Sequence, residues 1–210
     1  MVGTAFAALV LAYLLAGIPI GLLVGRSRGI EDIRKYGSGN IGATNVLRVL
    51  GVKAGLAVWV SDCMKGVVPV LLGRHVFGLE GWWLGAVALA AIVGHCYSPY
   101  LKLSGGKGVA TGLGAMIGLY WASGVCAFVL FVLIVARTRY ISLGSILAAA
   151  SIPVWMLVFH MPTSYVVFAA LAATLIIFKH RGNLKRLIAG TERKFGHREP
   201  ATGNPADGKR

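Results

Sequence analysis

Two stretches of the chain set glycines among hydroxyl, amide and cationic side chains and then run directly into apolar sequence. The first is KYGSGNIGATNVLR, Lys35 to Arg48, and the second is GHCYSPYLKLSGGKGVAT, Gly94 to Thr111. Glycine lets successive backbone N–H groups converge on an anion, and a helix that begins there adds unpaired donors and a favourable dipole. Gly105, Gly106, Lys107 and Gly108 read as such a nest with one ammonium inside it. Ser38, Asn40, Thr44 and Asn45 add polar groups in the first stretch, and Arg48 offers a planar fork for phosphate oxygens. Glycines also serve close helix packing, which accounts for Gly112, Gly114 and Gly118 but not for a lysine among glycines. Phosphate binding is therefore the chemistry expected of Lys107.

A third stretch, FKHRGNLKRLIAGTERK from Phe178 to Lys194, is basic and reads first as a juxtamembrane helix lying on anionic headgroups. His180 and Asn183 are three apart, so on a helix they share a face and can enter a site together. Two literal motif matches carry nothing. Gly37 to Gly42 fits GxGxxG, but a charged loop precedes it instead of a strand, and the Gly106-Lys107 pair lacks Walker A spacing. Asp62 and Lys65, at i,i+3 inside an apolar run, form either a functional pair or a mutually neutralising structural one. His95 reads as an interhelical hydrogen-bond donor ahead of a general base. Cys63, Cys96 and Cys126 match no metal or CxxC spacing and read as small buried hydrophobes.

The elements that position these residues follow from composition. The chain of 210 residues is 57% hydrophobic and 13% charged, with a mean hydropathy of +0.75, which points to the bilayer as its solvent. Membrane spans are expected at Thr4 to Val24, Ala54 to Leu72, Gly81 to Tyr100, Ser142 to Phe159 and Thr163 to Phe178. The apolar stretch from Lys107 to Arg137 is long for one span and short for two. Charge decides it. Arg26, Arg28, Arg34, Lys35, Arg48 and Lys53 place the first loop in the cytoplasm, and nine basic residues from Lys179 to Arg210 demand the same of the C-terminus. Only a turn near Trp121 to Gly124 satisfies both. The expectation is an all-α integral membrane protein of seven transmembrane helices, N-terminus outside and C-terminus cytoplasmic. Residues 1–196 form the membrane domain and 197–210 a polar, disordered cytoplasmic tail. The net charge of +14 thus reflects orientation and contact with membrane lipids, and nucleic acid is not an expected partner.

Taken together, the three loops resemble those of the acyl-phosphate:glycerol-3-phosphate acyltransferase family of bacterial membranes, the PlsY family. The matching residues are Gly37 to Arg48, Gly94-His95 with Gly105 to Thr111, and His180 to Lys194, in family order and spacing, with RYISLGS from Arg139 to Ser145 fitting as well. The resemblance implies an enzyme of the bacterial cytoplasmic (inner) membrane that transfers a fatty acyl group from acyl phosphate to the 1-hydroxyl of glycerol-3-phosphate, without metal or cofactor. It implies catalytic roles for Ser38, Lys107, His180 and Asn183. It extends substrate binding to Asn40, Thr44, Asn45, Arg48, Gly105, Gly106, Gly108, Ser142 and Glu192. Similar proteins often carry Glu where this chain has Gly182, which leaves Glu192 as the acid of the third loop. The hydroxyl proton goes either to His180 or to a phosphate oxygen of the substrate, with preference for the second. The His-x4-Asp pair of unrelated acyltransferases is absent, its nearest match being His75 to Glu80 on the outer side. The rival function is a phosphate or organophosphate transporter, which predicts a site reachable from both faces and an internal repeat.

Overall fold

In hydrocarbon a backbone N–H or C=O has no solvent partner, so apolar runs of this kind fold as helices. The computed structural model describes residues 2–196, and every regular element among them is helical. The tail expected at 197–210 lies outside the described residues. The first apolar run forms two helices, α1 (Val2–Gly17) and α2 (Ile20–Ser27). Pro19, which has no N–H to give, interrupts the single span expected from Thr4 to Val24. Two carbonyls at the break take side-chain donors: Ser98 Oγ donates to Gly17 O at 2.6 Å, and Lys65 Nζ donates at 2.6 Å to Ile18 O, which also accepts from Ile20 N at 3.0 Å. The bond from Nζ gives the intramembrane Lys65 a structural task.

A short helix, α3 (Ala43–Leu50), carries the first glycine-rich loop into α4 (Val52–His75), and α5 (Gly81–Cys96) returns. The stretch in dispute breaks at Tyr120, one residue ahead of the expected turn, into α6 (Val109–Leu119) and α7 (Trp121–Thr138). Arg74 Nη2 closes the end of α6 by donating to Leu119 O at 2.8 Å. The chain continues through α8 (Ile141–Val158) and α9 (Thr163–Lys179), then bends by 59° into α10 (Arg181–Ile188).

Five segments are long and apolar enough to cross a bilayer alone: Val2–Ser27, Val52–His75, Gly81–Leu101, Trp121–Thr138 and Ile141–Val158. With α10 across the bend, α9 makes a sixth. At 11 residues α6 is only about 16 Å long. It is enclosed by α4, α5, α7, α8 and α9, so its length need not match the bilayer. The α4–α6 crossing is close enough to require glycine on both sides. A Cβ on Gly66 would meet the Thr111 carbonyl, and one on Gly114 would meet that of Cys63. The other helices pack in succession beside this pair, with α1 on α5, α5 on α9, α9 on α8, α8 on α7 and α7 back on α6.

Candidate active site

The three loops meet at one end of the bundle, around a cavity of about 320 Å³. Its wall takes Ser38, Asn40, Thr44, Asn45 and Arg48 from the first loop and α3, and Lys107 and Gly108 from the entry to α6. Ser142 comes from α8, and His180, Asn183 and Glu192 from the α9–α10 bend and the segment after it.

Local geometry sorts these residues into those that face the cavity with polar groups to offer and those whose polar groups are already engaged. Asn45 is fully buried. Its Oδ1 accepts from Ser38 N at 2.7 Å and Ser38 Oγ at 3.1 Å. Its Nδ2 donates to the carbonyls of Ile33, Tyr36 and Asn40 at 3.2, 3.1 and 2.8 Å. Asn40 Oδ1 accepts from Gly42 N at 2.8 Å. Asn45 therefore spends its amide on folding the loop, where direct substrate contact was expected of it, while Asn40 braces the loop through Oδ1 and still lines the cavity. Asn45→Asp removes the donors to three carbonyls and sets a carboxylate against them. It is expected to destabilise the protein by about 3 kcal/mol, read as a lowered unfolding temperature in detergent.

Gly105 and Gly106 also depart from expectation. Their amides donate to Cys96 O at 3.2 Å and His95 O at 3.0 Å, so they do not face an anion. A Cβ on Gly105 would strike the His95 carbonyl, and one on Gly106 the His95 imidazole. These glycines press the loop onto the end of α5, and the pressed loop holds Lys107 in place. Gly108, at φ +80°, turns the chain into α6.

Lys107 Nζ donates to Asn183 Oδ1 at 2.6 Å, and Asn183 Nδ2 donates to Glu192 Oε1 at 2.7 Å. Arg186 Nε holds the other carboxylate oxygen, Oε2, at 2.7 Å. This chain of contacts ties the second loop to the third and orients all four side chains. The segment 191–196 then crosses to its neighbours: Arg193 Nη1 donates to Gly37 O at 3.3 Å and Phe195 N to Arg139 O at 2.6 Å. Burial pushes the Lys107 ammonium down to about 8; Glu192 opposes the fall, and Arg186 and Arg48 add to it. Glu192 is held below the usual carboxylate range: partial burial raises it, but Asn183, the Ser142 hydroxyl beside it and Arg186 outweigh that.

His180 lies just past the end of α9 and is 3% exposed. Its Nδ1 is 2.8 Å from Ile176 O, a carbonyl that can only accept, so Nδ1 carries the proton and Nε2 is left as an acceptor. Burial takes this imidazole down to about 4; the Ile176 hydrogen bond opposes the fall and Lys107 adds to it. The ring is neutral at physiological pH and a weak base.

The wall also contains residues not expected from the sequence. Arg186 and Arg193 join Arg48 and Lys107, which sets four cations against the carboxylates of Asp62 and Glu192. Arg186 follows Asn183 by three, the helical spacing that could have pointed to it. Trp59, Val109, Ala110, Phe131 and Ser145 form the cavity's apolar side and continue into a second pocket of about 50 Å³. That pocket, lined further by Leu113, Phe128, Ala149 and Ile152, lies between α4, α6, α7 and α8, with the Trp59 and Phe128 rings 5.7 Å apart across its side.

A helical membrane bundle with a cationic cavity opening into an apolar one defines a class: membrane proteins that handle amphiphilic phosphates. The family profile described as glycerol-3-phosphate acyltransferase matches residues 6–190. The chain is 49% identical to the glycerol-3-phosphate acyltransferase of Geobacter sulfurreducens over 88% of its own length and 94% of the relative's. With a glycerol-3-phosphate acyltransferase of Thermus thermophilus it shares 48% identity, over 92% and 96%. The crystal structure of PlsY (YgiH), an integral membrane glycerol 3-phosphate acyltransferase, in its glycerol 3-phosphate form superposes with a TM-score of 0.88 at 38% identity, covering 91% of this chain and 96% of that one. The lysophosphatidic acid form gives 0.86 at 37%, covering 91% and 95%. The chain belongs to the glycerol-3-phosphate acyltransferase family.

Proposed function

We propose that the protein transfers a fatty acyl group from acyl phosphate to the 1-hydroxyl of glycerol-3-phosphate, releasing lysophosphatidate and phosphate. The observation that carries this reading is the continuity of the two pockets. Four cations suit the phosphates of donor and acceptor, and the apolar extension at Trp59, Phe128 and Ala149 suits the donor's acyl chain. Arg48 and Lys107 offset the repulsion between two anions held side by side. His180 Nε2 accepts the hydrogen bond of the 1-hydroxyl and aims its oxygen at the acyl carbon. The new C–O bond forms as the carbon–phosphate oxygen bond breaks. Phosphate leaves with the electron pair, and the hydroxyl proton passes to a phosphate oxygen. His180, with a pKa of about 4, orients this transfer without keeping the proton. Ser38, Thr44 and Ser142 complete the hydrogen-bonding wall, and Asn183 and Glu192 hold Lys107 and Arg186 in place.

In this reading the bundle crosses the bacterial inner membrane seven times, with α6 as the short crossing and the site on the cytoplasmic side. Basic residues gather at the site's end, while Trp82, Trp83 and Trp121 lie exposed at the starts of α5 and α7, as interfacial anchors do at the opposite boundary.

The test is lysophosphatidate formation from glycerol-3-phosphate and palmitoyl phosphate, with palmitoyl-coenzyme A as the comparison donor, in inverted and right-side-out membrane vesicles. Product from acyl phosphate alone, with external glycerol-3-phosphate used only by inverted vesicles, is expected. Uptake of glycerol-3-phosphate into liposomes without acylation would favour the transporter instead. Use of the external acceptor by sealed right-side-out vesicles would reverse the assigned sidedness.

A further inference from the structure

The wall of the cavity holds two buried polar groups that the transfer chemistry does not use. Asp62 on α4 and His95 on α5 are 3% and 5% exposed, and both line the cavity. Lys65 Nζ lies 2.9 Å from Asp62 Oδ1 but is not aligned to hydrogen-bond it, its aligned bond being to Ile18 O. His95 Nδ1 stands 3.8 Å from the same oxygen. Asp62 Oδ1 thus has an ion-pair contact but no aligned hydrogen bond, and buried His95 Nδ1 has no hydrogen-bond partner and does not make the interhelical bond expected of this residue. Buried polar atoms without partners are costly and mark places where a ligand group arrives.

The chemistry of the substrates leaves one such group. A carboxylate can only accept a hydrogen bond, so its partner must donate. Phosphate dianions are acceptors and are repelled by Asp62. Acyl phosphate otherwise offers a carbonyl and hydrocarbon, neither of which donates. Glycerol-3-phosphate carries two hydroxyls, and His180 takes the one that reacts. We propose that Asp62 and His95 bind the other, the 2-hydroxyl of glycerol-3-phosphate, and so form the acceptor-specificity element of the site. The inference rests on the acceptor assigned above. It places the glycerol end of the acceptor against Asp62 and His95, with its phosphate toward Arg48 and Lys107. His95 O also holds the Gly106 amide, so this element and the Lys107 loop share one anchor on α5.

The test compares glycerol-3-phosphate with 3-hydroxypropyl phosphate, which lacks only the 2-hydroxyl, at fixed palmitoyl phosphate. The wild-type protein is expected to prefer glycerol-3-phosphate by about 100-fold in kcat/KM. The double variant Asp62→Leu/Lys65→Gln removes the acceptor atom, leaves no unpaired buried charge and keeps a donor for Ile18 O. His95→Phe removes Nδ1 while keeping a ring against Gly106. In each, the ratio is expected to fall below about 10, the loss on glycerol-3-phosphate exceeding that on the deoxy acceptor at least tenfold. A wild-type ratio near one overturns the proposal whatever the variants do. An unchanged ratio in both variants overturns it, as does equal loss on both acceptors, since one specificity contact cannot abolish transfer to a molecule without the hydroxyl. Failure of the wild-type protein to make lysophosphatidate at all would instead count against the acyltransferase reading.

Discussion

Lys107→Ala is expected to lower kcat/KM for glycerol-3-phosphate about 1000-fold while leaving the protein folded. The ammonium is the cation carried into the site by the second loop, and its aim is fixed on three sides. Gly105 and Gly106 bind the loop to the end of α5, Gly108 turns it into α6, and Asn183 Oδ1 holds Nζ at 2.6 Å. Arginine is longer and presents a planar fork, so Lys107→Arg is expected to recover less than a tenth of the loss. Titration of the same group should appear in the wild-type profile. Burial lowers Lys107 to about 8, so its charge is present below that pH and is lost as pH rises through it. kcat/KM should therefore fall about tenfold per pH unit on an alkaline limb centred near 8. A rate that stays level to about pH 10 would mean that the Lys107 charge is not lost near 8, and an alanine variant within tenfold of wild type would take Lys107 out of the transfer chemistry.

The second large effect concerns the donor. Ala149 on α8 is 4% exposed and lines the apolar extension beyond the cavity. Ala149→Trp fills a pocket of about 50 Å³ and displaces any chain lying in it. Transfer from palmitoyl phosphate is expected to fall about 100-fold, because a tail denied its path drags the carbonyl out of register with the hydroxyl. Butyryl phosphate, too short to pass the Trp59 and Phe131 side of the cavity, should lose less than fivefold. Equal losses on the two donors would mean that the acyl chain runs elsewhere.

Much of this site was legible in the sequence because its chemistry is local. Glycines beside hydroxyl, amide and cationic residues need no tertiary information to suggest an anion, and Arg48, Lys107 and His180 do line one cavity. Direction was not legible. Nothing in the order of residues says that the amides of Gly105 and Gly106 turn toward α5, or that Asn45 faces back into its own loop. Trp59 and Phe131 read as two more members of apolar runs until the packing of α4, α7 and α8 puts them beside a cavity. Arg186 and Arg193 were hidden among basic residues that suit a headgroup layer equally well. In the fold, charge placement identified two helices between Lys107 and Arg137, but hydropathy could not reveal how unequal they are. An enclosed helix is released from bilayer length, and enclosure is a tertiary property.

The interruption at Pro19 gives the protein an order of assembly. Gly17 O and Ile18 O find side-chain donors in Ser98 and Lys65, which lie 81 and 47 residues further along the chain. When the first hydrophobic segment is synthesised neither side-chain donor exists; Ile18 O has Ile20 N at 3.0 Å, but Gly17 O is left open, which in lipid costs several kcal/mol. The bend is therefore completed only after α4, and then the residues following α5, have joined α1 in the membrane. Substitution of Ser98 or Lys65 would be felt first during biogenesis, as slow maturation of an N-terminal hairpin, before any effect on turnover.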